Sequence, residues 1–280
     1  MRMLRSRGFT LVEMVTVILV LGVLAVGVSS FIIFGTRIFV ESSAVEQVTG
    51  ESRYAIERMT RDIRAALPGS ARLASGNSGS ESWQCLELVP IAASSSYLSI
   101  GLASGPASKT ATLFRDAPQT GIAVGQFAFV YPLAESDVYA NPAGNLGKRF
   151  VVQKVTEASA ADTIELEFAT AVRFSEASPS RRIFLTGTPI SYCFIGDVSG
   201  GDIKLWHFAG YGFSPTQPDV PAMRAGGQAA LMAQGVVSAA PLSLLPSTLM
   251  NNAVIQLDAA FSVNGQSFGY QHQVQVINVP

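Results

Sequence analysis

Gly8-Phe9-Thr10-Leu11-Val12-Glu13 stands between a short basic leader and an apolar run that lasts to Phe34. The leader, Met1 to Arg7, carries Arg2, Arg5 and Arg7 and no acid. By the positive-inside bias it holds this end in the cytoplasm and sends the remainder outward. From Phe9 to Phe34 the single charge is Glu13. At about 1.5 Å of rise per residue, that run is long enough to cross a hydrocarbon core of about 30 Å with some tilt. A carboxylate within such a helix is unfavourable by about 2.5–3.5 kcal/mol at the bilayer centre and by less near the interface, where Glu13 falls. It therefore calls for a partner. A signal anchor, or a signal peptide cut near Ala25-Val26-Gly27, shares the basic start and the apolar core but leaves Glu13 unexplained.

The same six residues, followed by the apolar run, resemble the type III signal of type IV pilins and type II secretion pseudopilins. The resemblance implies that a prepilin peptidase cleaves after Gly8 and methylates the new N-terminus at Phe9. It implies that Glu13 pairs with the N-terminal amine of a neighbouring subunit during assembly. It also implies a single-pass protein of the bacterial inner membrane, with its C-terminal head in the periplasm and later in a pilus. The implied partners are other pilins and minor pilins, the prepilin peptidase and the inner-membrane assembly machinery. Many relatives carry a proline where this chain has Ser30. Gly22, Gly27, Ser29 and Ser30 weaken the helix at that level, which suits either loosening on assembly or close approach of membrane helices.

Beyond the membrane, apolar residues recur at three- and four-residue steps through Ile38, Val45, Val48, Ala55, Ile56, Met59, Ile63 and Leu67. This is one helical face. Arg53/Glu57, Glu57/Arg61 and Arg58/Asp62 stand at i,i+4 on the others. Pro68-Gly69 marks the end. The expected organisation is a cleaved leader 1–8, a helix 9–67 with its membrane part at about 9–34, and a β-rich head 68–280. The predicted fold is α+β, a long membrane-spanning helix packed on an antiparallel sheet.

Residues 68–82 are rich in Gly, Ser, Ala and Asn and read as a loop. After them come β-type runs at 83–91, 110–114, 126–131, 150–156, 163–168, 183–185, 189–195, 203–208, 253–261 and 268–279. Ser191 to Trp206 reads as a hairpin and resembles that of larger minor pilins and of J-type pseudopilins. Its turn holds Asp197 and Asp202, which could offer calcium oxygen ligands, although acid-glycine turns are ordinary hairpin loops. In the last run Phe268, Tyr270, His272, Val274 and Val276 share one face, which predicts His272 as a hydrogen-bonded core residue. Cys85 and Cys193 fall in exported strands and are expected to pair in an oxidising periplasm. Two buried free thiols are the alternative, which spacing leaves open.

No catalytic residue, metal or cofactor is assigned. His207 and His272 sit in no recognisable motif, Gly76-Asn77-Ser78-Gly79 is not a nucleophile elbow, and Gly210-Tyr211-Gly212 is not a phosphate loop. Formal charge is −1, or −4 once the leader's three arginines are removed, and no basic block follows the leader. Nucleic acid is therefore not an expected partner. The run from Glu51 to Met59 and the ending Gln273-Val-Gln-Val-Ile-Asn-Val-Pro280, with the N-terminal signal, are most similar to MshO-type minor pilins of the mannose-sensitive haemagglutinin pilus. The expected function is that of a minor pilin in a tip or priming complex. A J-type pseudopilin is the nearest alternative, and a membrane-anchored periplasmic enzyme or binding domain the alternative of another class.

Overall fold

The computed structural model describes residues 8–115, 121–158, 162–246 and 252–276, so the leader up to Arg7 and the last four residues lie outside it. The chain divides into two compact units, the first ending at Gln47 and the second beginning at Val48. Helix α1 (Leu11–Arg64) is one 54-residue element. In the first unit it is apolar and exposed, with every residue from Gly8 to Ser43 open. By length and composition it is able to cross a membrane.

In the second unit the helix becomes amphipathic. Ser52, Ala55, Ile56, Met59, Thr60 and Ile63 are buried, a three- and four-residue spacing that places them on one face. Of the three expected ion pairs, Arg58–Asp62 is present at 3.8 Å, while Arg53–Glu57 and Glu57–Arg61 are not formed among the described residues. The helix stops at Arg64 rather than Leu67. Pro68 disfavours helical backbone at the residue before it, and the sheet captures the chain: Leu67 N–H donates to Val89 O and Ile91 N–H to Ala65 O, both at 2.8 Å. Gly69 then turns the backbone at φ +72°, where a Cβ would stand 2.9 Å from the Ala134 nitrogen.

The chain continues through β1 (Arg72–Ser78), β2 (Glu81–Leu88), β3 (Ile91–Ser99), β4 (Ser108–Phe114), β5 (Phe127–Val130), helix α2 (Glu135–Tyr139) and β6 (Leu146–Gly147). There follow β7 (Arg149–Ala158), β8 (Thr163–Phe174), β9 (Arg182–Thr186), β10 (Ile190–Asp197), β11 (Ile203–Ala209) and helix α3 (Val220–Gly226). The last elements are β12 (Gln228–Val236), β13 (Leu242–Leu245), β14 (Val254–Val263) and β15 (Gln266–Gln275).

These strands make two sheets. The first runs β1-β2-β10-β11-β12-β14-β13, with β15 on the other side of β14. It packs on the buried helix face: Ala55, Ile56, Met59 and Ile63 share a core with Leu86, Tyr192, Phe194, Leu205, Ile255 and Phe261. The second sheet closes on itself. β3 pairs β9, β9 pairs β5, β5 pairs β7, β7 pairs β8, β8 pairs β4, and β4 returns to β3, each antiparallel. Closure leaves this ring no free edge. Its interior holds Leu113, Val130, Val152, Ile164, Leu166 and Ile183, with Phe150, Phe168 and Phe174 packed edge-on at 5.1–6.1 Å. The ring is an insertion between β2 and β10, which are adjacent strands of the first sheet with Leu88 opposite Ile190.

The insertion is tied to the first sheet by an apolar cluster of Leu67, Val89, Phe129, Val138, Tyr139 and Phe184. Beside it, buried Arg72 on β1 donates to Glu87 on β2 at 2.7 Å and to Glu135 on α2 at 3.1 Å. Its guanidinium lies 3.5 Å from the Tyr139 ring centroid.

Five strands correct the sequence expectations, the shortest being the two-residue β6, which pairs with β8 in parallel. Residues 72–78 form β1 instead of a loop. They lack β-branched residues, and pairing across a tight turn at Gly79, from Ser78↔Glu81 back to Arg72↔Glu87, holds them extended. β3, β12 and β13 fall where no strand was expected. β3 and β12 are dominated by Ser, Ala and Gln, so their composition carries little β signal. The 83–91 run is broken at Val89-Pro90 into strands of different sheets. His272 is exposed, not a core residue. On β15 only Val274 is covered fully, Phe268 and Tyr270 are half-buried, and no further strand flanks β15 among the described residues.

Candidate functional site

Gly8, Phe9 and Thr10 precede the first turn of α1, non-helical and exposed, with the Phe9 side chain 80 % open. Nothing lies within 4 Å of where a Cβ on Gly8 would be. Among the described residues nothing packs on Gly8, and the backbone at Gly8 and Phe9 is not helical.

Thr10 starts the helix. Its Oγ1 accepts the Glu13 N–H at 3.3 Å, and Thr16 Oγ1 donates to Glu13 O at 3.0 Å. Thr10-Leu11-Val12-Glu13 thus carries the first half of a capping box, the hydroxyl answering an amide that has no intrahelical acceptor. The pattern is written in the sequence as Thr-x-x-Glu, and the reading of Glu13 as an assembly residue passed over it. An acid in the first turn also suits the positive end of the helix dipole. The carboxylate itself is exposed and accepts no hydrogen bond among the described residues. Capping uses the Glu13 backbone and leaves its side chain open to an outside partner.

Cys85 on β2 and Cys193 on β10 stand directly opposite in register, with Cα atoms 4.1 Å apart and the sulfurs bonded at 2.08 Å. Both are fully buried, against Ile195, Phe208, Val220 and Met223, with Trp83 and Trp206 alongside. The disulfide joins the two strands from which the closed ring is inserted. It clasps the root of that insertion.

The two acids of the β10–β11 turn are not brought together on one ligand. Asp197 Oδ1 accepts the N–H and the hydroxyl of Ser199, bonds that hold its carboxyl below the usual range. Asp202 Oδ1 accepts the Gly235 N–H at 2.8 Å. Each shapes backbone, as acids in turns do. Among the described residues no group of three or more His, Cys, Asp or Glu is placed to hold a metal ion. His207, on β11, packs its ring 5.0 Å from that of Tyr192. Its Nε2 is buried without a hydrogen-bond partner among the described residues, and burial, then the Arg58 charge, lowers its pKa.

Residues 3–29 match the model of the prokaryotic N-terminal methylation motif, a type IV prepilin-like signal. The match spans Gly8, Phe9, Glu13 and most of the apolar run. No curated protein and no solved structure matches the chain.

Proposed function

We infer that this chain is a minor pilin, an assembly subunit of a type IV pilus of the mannose-sensitive haemagglutinin kind, held in the inner membrane by α1 with its head in the periplasm. The observation that carries the reading is the pairing of an exposed, non-helical Gly8 and Phe9 with a Glu13 carboxylate, one helical turn further on, that has no partner among the described residues. Hydrolysis of that bond by a prepilin peptidase leaves an ammonium on Phe9, which the enzyme then methylates. In the membrane the Glu13 carboxylate is compensated when the Phe9 ammonium of a neighbouring subunit reaches it, and attraction between opposite charges strengthens as water is excluded. The lone acid thereby becomes an assembly contact, and the apolar surface of α1 packs into the core of a filament.

The size of the head argues for few copies. Two sheets, one inserted in the other, occupy the chain from Arg72 to Gln275, and a body of that bulk repeated at every subunit step would crowd its neighbours. A tip or priming complex accommodates it. Two measurements test the reading. Mass spectrometry of the mature N-terminus should find N-methyl-Phe9, and a peptide retaining Arg7 in cells with active prepilin peptidase would overturn the processing step. Quantitative mass spectrometry of sheared pili should find the chain far below the major subunit, and equal amounts would overturn the tip position.

A further inference from the structure

Strand β15 ends the first sheet with a row of main-chain groups that no strand meets among the described residues. The two-residue turn Asn264-Gly265, with φ of +50° and +77°, joins β14 to β15 and sets Val263 opposite Gln266. A turn of this kind closes on a hydrogen-bonded pair, and bonded and non-bonded pairs then alternate along an antiparallel ladder. The even-numbered residues of β15 therefore bond to β14, and the Val276 N–H to Ala253 O bond at 2.9 Å keeps the same phase. Ser267, Gly269, Gln271, Gln273 and Gln275 turn their N–H and C=O groups outward. No described strand receives them, and none of these residues has a further partner among the described residues.

Natural edges are guarded by charge, proline, bulges, shortness or cover. Among the described residues this one has none of these. Its ten residues, Gln-Ser-Phe-Gly-Tyr-Gln-His-Gln-Val-Gln, contain no Lys, Arg, Asp, Glu or Pro, and the pairing with β14 runs through all ten without a register shift. The edge at β1 differs, being faced by Leu244 and Pro246 across a cavity of about 480 Å³. Gly269 adds a second sign. A glycine within a strand weakens it and often marks close approach of another backbone, yet a Cβ there would meet nothing within 4 Å and φ is not positive. The chain's own packing does not call for a glycine at that outward-bonding position.

We propose that β15 is a strand-addition site, at which an extended, uncharged segment of a different subunit hydrogen-bonds to Ser267, Gly269, Gln271, Gln273 and Gln275 and extends the first sheet. Main-chain bonds supply the attraction, as in other β-augmented complexes, and the exposed glutamine amides select a neutral polar strand. The proposal rests on the assembly reading for the choice of occupant, since that reading places other subunits alongside.

The test uses the full-length chain in living host cells with p-benzoylphenylalanine at position 271. Irradiation should yield an adduct whose peptide maps to a single extended segment of another subunit. Gln273→Pro removes an outward donor while sparing the bonds to β14, and should abolish the adduct; Gln273→Ala keeps the donor and should retain it. In parallel, residue-resolved hydrogen exchange on the unaltered chain should find the odd-numbered amides of β15 fast in detergent extract and slow in isolated assemblies. An adduct lost with alanine but kept with proline, an adduct joining two copies of this chain, no adduct at all, or fast odd-numbered amides in assembled protein would each overturn the site. Absence of the chain from sheared pili would instead sink the filament reading, while the adduct still decides the edge.

Discussion

Replacing Arg72 by methionine keeps an unbranched apolar stem and deletes the guanidinium and its charge at the joint between the first sheet and the inserted ring. Arg72 is 4 % exposed and Glu87 is 0 %. Besides Glu87 and Glu135, the guanidinium donates to Ser214 O and Pro215 O, each at 3.0 Å. Ser214 is half-buried and Pro215 exposed, so their carbonyls can turn to water, but Glu87 cannot. Removing one member of a buried pair costs about 3–5 kcal/mol, because the other charge is left uncompensated. The double variant Arg72→Met/Glu87→Leu should recover most of that loss, since apolar groups of similar volume replace such pairs at little cost. The loss should also depend on pH. Burial pushes the Glu87 carboxyl up, against the hydrogen bond and charge of Arg72, which pull it down. A carboxyl whose pKa is raised on folding contributes stability below its unfolded pKa, and loses it as pH rises through the folded value. Without Arg72 the folded value rises further, so the variant should suffer most at neutral pH and least near pH 4, close to an ordinary carboxyl pKa. Urea denaturation of the full-length protein in detergent micelles, followed by the fluorescence of Trp83 on β2 and Trp206 on β11, measures each quantity. A loss that is flat with pH, or a double variant no better than the single one, would refute the reasoning.

Three further outcomes are expected. Glu13→Leu should leave insertion and cleavage intact, and cost the helix only the roughly 0.3–1 kcal/mol of its dipole interaction, yet assemble poorly; normal pilus yield with the variant as sole copy counts against the pairing. Cys85→Ala/Cys193→Ala opens a loop between residues 108 apart in sequence and should lower head stability by about 4–5 kcal/mol on the chain-entropy account; non-reducing mass mapping that finds both thiols free in periplasmic protein ends the idea. His207, whose pKa is depressed by burial and then by Arg58, takes up its proton less readily folded than unfolded, so stability should fall as pH drops below about 6.5, the unfolded value. His207→Phe should flatten that slope, and an unchanged slope would assign it elsewhere.

What the amino-acid order determined unaided was local. An apolar run with one acid, a basic leader, Thr-x-x-Glu at a helix start and a three- and four-residue stripe at Ala55, Ile56, Met59 and Ile63 each depend on residues a turn or two apart, so the long helix and the position of Gly8, Phe9 and Glu13 at its head were legible from the page. The alternation in 163–168 and 253–261 announced strands for the same reason. Which strand lies beside which was decided by contacts across the whole chain. Nothing in their alternation tells that β4 bonds to β8 and closes a ring, or that β2 and β10 are neighbours with about a hundred residues between them, which is what places Cys85 against Cys193. β1 and β3 are strands because neighbouring strands engage their backbones, not because Ser, Gly and Ala favour extension. The same dependence undid His272. Its face is apolar in sequence, but only a covering element makes a face a core, and at the edge of β15 none covers His272 among the described residues.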